Sequence, residues 1–138
     1  MRLAIVASRF NDEISGKLLE RARAAAAAEG IKDCFVARVP GALEIPLALQ
    51  WLAQSGRFDA LVAVGCVIRG DTFHFEVVAG ESARGLMDVA LEYGIPVGNG
   101  ILTTEDEAQA LARLDKGAEA VRVALEMARL KAGLREDR

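Results

Sequence analysis

"ALVAVGCVIRGDTFH", Ala60 to His74, decides how the rest of the chain is read. Its first nine residues, Ala60 to Ile68, form a buried-looking apolar run, and a Gly-Asp-Thr turn then leads into a segment of helical period. The same alternation of short β-branched runs with longer helical segments extends in both directions. Further strands are expected over Leu3 to Ser8, Cys34 to Val39 and Pro96 to Leu102.

Between the first two strands, "NDEISGKLLERARAAAAAEG" places Ile14, Leu18, Ala22 and Ala25 on one helical face, with Asn11 or Asp12 as cap and Gly30 as stop. Its alanine run favours helix and allows close approach to a neighbour. "GALEIPLALQWLAQSG" reads as a second helix entered through a Pro-Gly turn and closed by Gly56, with Pro46 confined to its first turn. In "HFEVVAGESARGLMDVALEYG", the expected buried stripe is Val77, Ala83 or Arg84, Met87 and Leu91, with Gly94 at the end. "TTEDEAQALARL" is expected to follow the fourth strand as a helix capped by Thr103 or Thr104. A last helix is expected from about Gly117 to Leu130, leaving "LREDR" to fray. The order β-α-β-α-β-α-β-α-α predicts one α/β domain over 1–138, a three-layer α/β/α sandwich, flavodoxin-like, around a four-stranded parallel sheet.

Composition narrows the function. The 138 residues are 52% apolar and 27% charged, with a net charge of −3, so no basic excess exists to hold nucleic acid. No apolar run reaches the ~18 residues of a membrane span, and Met1 leads into "RLAIVAS" without a secretion pattern, so a cytoplasmic location is expected. Cys34 and Cys66 lie in β-like runs without metal-ligand spacing and read as small buried thiols.

In an open parallel sheet, ligands collect beyond the carboxyl ends of the strands. The residues expected there are "SRFND" (8 to 12), "VPGALE" (39 to 44), "CVIRGDTFH" (66 to 74) and "NGILTT" (99 to 104). Phe10 reads as a loop aromatic at the core edge or against a ligand. Gly41 allows a sharp turn that presents the amides of Ala42, Leu43 and Glu44. Gly70, Asp71 and Thr72 supply amides and a hydroxyl suited to a phosphate monoester, without the GxxxxGK[ST] of a P-loop. His74, the only histidine, is either a structural residue at a helix start or a proton carrier at neutral pH. Arg113, in "ALARLDKG", reads on spacing alone as a solvated cation near a helix C-terminus.

Taken together, "SRFND", "VPGALEIPLA", "VAVGCVIRGDTFHFEVVAGESARGL", "GIPVGNGILTTEDEAQALAR" and "KGAEAVRVALEM" resemble the 6,7-dimethyl-8-ribityllumazine synthase family over nearly the whole chain. The resemblance implies a cofactor-free, metal-free condensation of 5-amino-6-(D-ribitylamino)uracil with 3,4-dihydroxy-2-butanone 4-phosphate, the penultimate step of riboflavin biosynthesis. It implies Phe10 stacked on the pyrimidine. Ala42, Leu43, Glu44, Cys66, Val67 and Ile68 would bind the ribitylaminouracil, Asp71 and Thr72 the phosphate, and His74 would be the acid/base. Arg113 matches a family arginine that reaches the phosphate from an adjacent subunit, and Lys116 a lysine of the same wall.

Two positions depart from the family pattern. Asn99 stands where an aromatic usually packs on the substrate ring, with an edge hydrogen bond as a substitute. "ARLDKGAEA" is shorter than the usual link. The resemblance further implies a pentamer, possibly twelve pentamers in a 60-subunit shell, and riboflavin synthase as a possible partner. Two other readings of the fold are a flavodoxin-like binding module without catalysis and an archaeal-type riboflavin synthase.

Overall fold

The computed structural model describes residues 1–136. Strands β1 (Leu3–Ser8), β2 (Cys34–Val39), β3 (Ala60–Ile68) and β4 (Val97–Thr104) form one sheet in the order β2-β1-β3-β4, parallel throughout. Helices α1 (Asp12–Ala28), α2 (Ile45–Gln54), α3 (His74–Tyr93), α4 (Glu107–Leu111) and α5 (Lys116–Glu136) complete the chain, with one 3-10 turn at Ala42–Glu44 before α2.

Alternate strand residues serve two cores. Leu3, Ile5, Val62 and Val64 pack under α1 and α5, whereas Ala4, Val6, Leu61 and Ala63 pack under α2 and α3. Both faces are covered, which is why β1 and β3 carry apolar runs with no polar alternation. This is the expected three-layer, flavodoxin-like sandwich.

The first three strands have the expected bounds, and Ile14, Leu18, Ala22 and Ala25 are all buried. The alanines of α1 meet Ala118, Val121 and Ala124 of α5 in the same core. Contact there is close enough that a Cβ on Gly117 would lie 2.3 Å from Leu18 O. Pro46 falls in the first turn of α2, and Gly94 ends α3 at φ 59° in the left-handed region.

Five expectations are corrected. The fourth strand begins at Val97 and extends through Thr103 and Thr104, because its register with β3 continues as far as Ile68↔Thr104. Asn99 to Thr104 are therefore strand residues, and the cap of the next helix is Asp106, whose Oδ1 accepts from Gln109 N–H at 2.8 Å. That helix is a five-residue α4, which leaves Arg113 in the turn beyond it.

The buried stripe of α3 is Ser82, Leu86 and Val89; Val77, Ala83, Arg84, Met87 and Leu91 all face outward. Close packing sets that choice of face, since a Cβ on Gly85 would lie 2.6 Å from Pro46 Cγ. Finally, α5 runs beyond Leu130 to Glu136, anchored where Lys131 Nζ donates to Gly94 O at 2.8 Å. Of the tail expected to fray, Leu134 to Glu136 are helical and the remainder lies outside the described residues.

Candidate functional site

The sheet order places β1 between β2 and β3, and α1 and α3, which follow β1 and β3, lie on opposite faces, so the loops after these two strands diverge above a crevice. The sequence stitches the rim of that crevice together. Arg9 N–H donates to Val39 O at 2.8 Å and Phe10 N–H to Pro40 O at 2.9 Å, tying the first loop to the second. Asn11 adopts φ 57°, a left-handed conformation that asparagine tolerates, and its Nδ2 donates to Cys66 O at 3.0 Å. That bond ties the first loop to the end of β3.

Phe10 is 63% exposed, so it is no core-edge contact. Its ring lies against Gly41, where an added Cβ would come within 2.6 Å of Phe10 Cδ2, and the rest of the side chain is exposed. Gly41 N–H donates to Glu44 Oε1 at 2.8 Å. Ala42 is buried beneath the loop and Leu43 is exposed.

The side chains of Cys66 and Val67 enter opposite cores, and Ile68 is half-buried against the α1–α5 core. Any ligand contact by Cys66 and Val67 would therefore use main-chain atoms. Burial pushes the Cys66 thiol up to about 11, with Glu107 adding to the effect, so it remains protonated at neutral pH and is a poor nucleophile. Burial likewise raises the half-buried Cys34 thiol.

After β3, the amides of Gly70, Asp71, Thr72 and Phe73 have no acceptor among the described residues. Thr72 Oγ1 accepts from His74 N–H at 3.3 Å, and His74, first residue of α3, is exposed. Four free N–H groups beside a helix start attract an anion, and an imidazole stands next to them.

Arg69 is a feature that the sequence reading did not select. Its Nε donates to Glu105 Oε2 at 2.6 Å, its Nη1 donates to Glu76 Oε1, and its guanidinium lies 4.4 Å from the Phe75 ring centroid. Its N–H extends the sheet ladder to Thr104 O at 2.9 Å. The bond from Arg69 is the main reason the Glu76 carboxyl lies below its ordinary range. Only the pattern Arg-x6-Glu around the turn could have signalled this pairing.

The remaining expected residues lie apart from this rim. Asn99 is opposite Ala63 on the edge strand, five residues before the end of β4, or roughly 16 Å along that strand at ~3.3 Å per residue. Its Oδ1 accepts from Ile101 N–H at 2.9 Å. Arg113 is exposed, donates from Nη1 to Gln109 O at 2.9 Å, and makes no ion pair among the described residues. Lys116 pairs with Glu119 at 3.5 Å. The intervening Leu114 and Asp115 pack toward α1, where Asp115 lies 3.9 Å from Arg21. No described group of three or more His, Cys, Asp or Glu could hold a metal ion, and no described helix is long and apolar enough to cross a membrane.

Fold and rim define a flavodoxin-like α/β protein whose candidate pocket, open to a small anionic ligand, lies beyond the carboxyl ends of a parallel sheet. The family described as 6,7-dimethyl-8-ribityllumazine synthase matches residues 1–132. A protein of that name from Nitrosomonas europaea is 59% identical over 131 residues, covering 93% of this chain and 80% of its own. Those from Paraburkholderia phymatum and Albidiferax ferrireducens are 50% and 53% identical, covering 99% and 94% of this chain and 81% and 85% of theirs. The chain belongs to the 6,7-dimethyl-8-ribityllumazine synthase family and is a transferase of that type.

Proposed function

We propose that this chain condenses 5-amino-6-(D-ribitylamino)uracil with 3,4-dihydroxy-2-butanone 4-phosphate to give 6,7-dimethyl-8-ribityllumazine, phosphate and two waters, the penultimate step of riboflavin biosynthesis. The observation that carries the reading is the exposed His74 directly behind four unpaired amides, in a chain of this family. The 5-amino group attacks the ketone and loses water to form an imine. A proton leaves carbon as phosphate departs, and the resulting enol tautomerises, closes onto the second nitrogen and loses the second water.

Each step moves a proton close to an anion. His74 carries those protons, and the amides of residues 70–73 with the Thr72 hydroxyl hold the phosphate. Asp71 acts through its N–H, because its carboxylate would repel a phosphate. Phe10 offers its exposed ring to the pyrimidine, while the Ala42–Glu44 turn and the Cys66–Ile68 backbone address the ring edge and ribityl chain. No cofactor or metal enters these steps.

The placement of Asn99, Arg113 and Lys116 away from this rim supports a site shared between neighbouring subunits, with these three facing the next chain's pocket. Arg113 then meets the phosphate of a neighbour. Exposed Leu47, Trp51, Val77, Met87 and Leu91 on α2 and α3 supply apolar surface for such contacts. The assembly proposed is a pentamer, with twelve pentamers closing a 60-subunit shell that could hold riboflavin synthase, in the cytoplasm.

Mixing the two substrates and following lumazine absorbance tests the reaction. The expected rate is far above the uncatalysed background, and His74→Ala should lower kcat by about 10²–10⁴ with little change in KM. A rate equal to background would end the proposal.

A further inference from the structure

The loop that bears the proposed chemistry does little to hold itself in place. No N–H or C=O of Gly70, Asp71 or Thr72 pairs with another main-chain group among the described residues, and Thr72 reaches only as far as His74 N–H. Preorganised donors act on a transition state only if they are fixed before it forms, and a displacement of about 1 Å can cost ~10²-fold in rate. Some other group must therefore supply the order.

We propose that Arg69 is the positioning residue of this loop, a clamp that fixes the phosphate amides and His74 by joining both ends of the loop to the end of β4. The inference rests on the reading of residues 70–74 as the phosphate and proton-transfer loop. Arg69 follows the last residue of β3, and Glu76 lies in the first turn of α3. Their bond closes residues 70–75 into a short ring. The second carboxylate, Glu105, comes from the turn between β4 and α4, and its own N–H donates to Gln109 Oε1 at 2.8 Å. The third contact, with Phe75, uses the guanidinium face.

Three contacts in three directions suit a planar fork that also stacks, and an ammonium group cannot reproduce them together. A single exposed ion pair orders little. Here, though, one side chain joins residues from β3, the start of α3 and the β4–α4 turn. Because Nε and Nη1 already donate to carboxylates, only Nη2 is left without a partner among the described residues, and Arg69 serves the loop as a tie rather than as a bidentate phosphate ligand.

The test compares the full-length protein with Arg69→Met, Arg69→Lys, Glu76→Gln, Glu105→Gln and the Arg69→Met/Glu76→Gln double variant. Both steady-state kinetics and amide hydrogen exchange of residues 70–76 are read. Arg69→Met is expected to lower kcat by about 10- to 100-fold with both KM values within about 2-fold, and to speed exchange in the loop several-fold. Arg69→Lys should restore only a small part of the loss. Each carboxamide variant should show a fraction of it, and the double variant should be no worse than Arg69→Met alone.

Unchanged loop exchange with kcat within about 2-fold in Arg69→Met would overturn the proposal. So would a rise confined to the KM of the phosphate substrate while Glu76→Gln is silent, because Arg69 would then be a phosphate ligand. If the unsubstituted protein made no lumazine, the functional proposal would fall, and loop exchange alone would decide the clamp.

Discussion

His74 and Arg69 bracket one short loop and have opposite surroundings. The imidazole is open to a ligand, whereas the guanidinium donates from Nε and Nη1 and stacks one face on Phe75. The sequence singled out the first because a lone histidine behind Gly-Asp-Thr is either structural or a proton carrier, and the family resemblance favours a proton carrier. It concealed the second because Glu105 is 36 residues away from Arg69, and only the register of β3 with β4 brings them together. The pairing has a pH signature. Glu76 is held below its ordinary carboxyl range, so its ionised form favours the fold. That contribution is complete above the unfolded carboxyl pKa and is lost as pH falls through the lowered folded value. Urea midpoints of the unsubstituted protein and Glu76→Gln should therefore differ near about pH 7 and draw together as acidification protonates the lowered Glu76 carboxyl. A gap that stayed constant with pH would show that Glu76 contributes through packing and not through charge.

At the scale of elements, strand bounds were readable wherever a β-branched run met a turn, and β1, β2 and β3 match residue for residue. Two errors have a physical cause. Thr103 and Thr104 can serve as caps or as strand, and the continuing ladder to Ile68 settled the matter. In α3, two apolar stripes share helical spacing, and periodicity cannot say which one faces the sheet; the close approach of Gly85 to Pro46 does. Glycine packing also governs β4 against α5. A Cβ on Gly98 would lie 2.1 Å from Ala120 O, a backbone atom that cannot swing aside. Gly98→Ala should thus lower unfolding free energy by at least about 2 kcal/mol, measured by urea denaturation. A loss below about 0.5 kcal/mol would mean that α5 shifts freely on the sheet.

For the whole molecule, one chain carries all of the proposed groups but does not gather them at a single rim. Phe10, the Ala42–Glu44 turn and His74 gather around one rim, while Arg113 and Lys116 lie past α4, beside α1, and Asn99 is well down the edge strand. On spacing alone Arg113 reads as a solvated cation near a helix C-terminus, and only the fold places it in the turn beyond α4. The exposed side chains of Trp51, Met87 and Leu91, at 61%, 59% and 77%, are costly for an isolated chain to present to water and suit burial against a neighbour. A site shared between neighbours has a consequence that a self-contained site lacks. His74→Ala and Arg113→Ala, each nearly inactive alone, carry their defects in different halves of the pocket. Refolded together in equal amounts, they should regain about a quarter of the unsubstituted lumazine-forming rate, the share of interfaces at which both halves are intact in a random cyclic assembly. Activity no greater than the mean of the two separate variants would contradict the shared site.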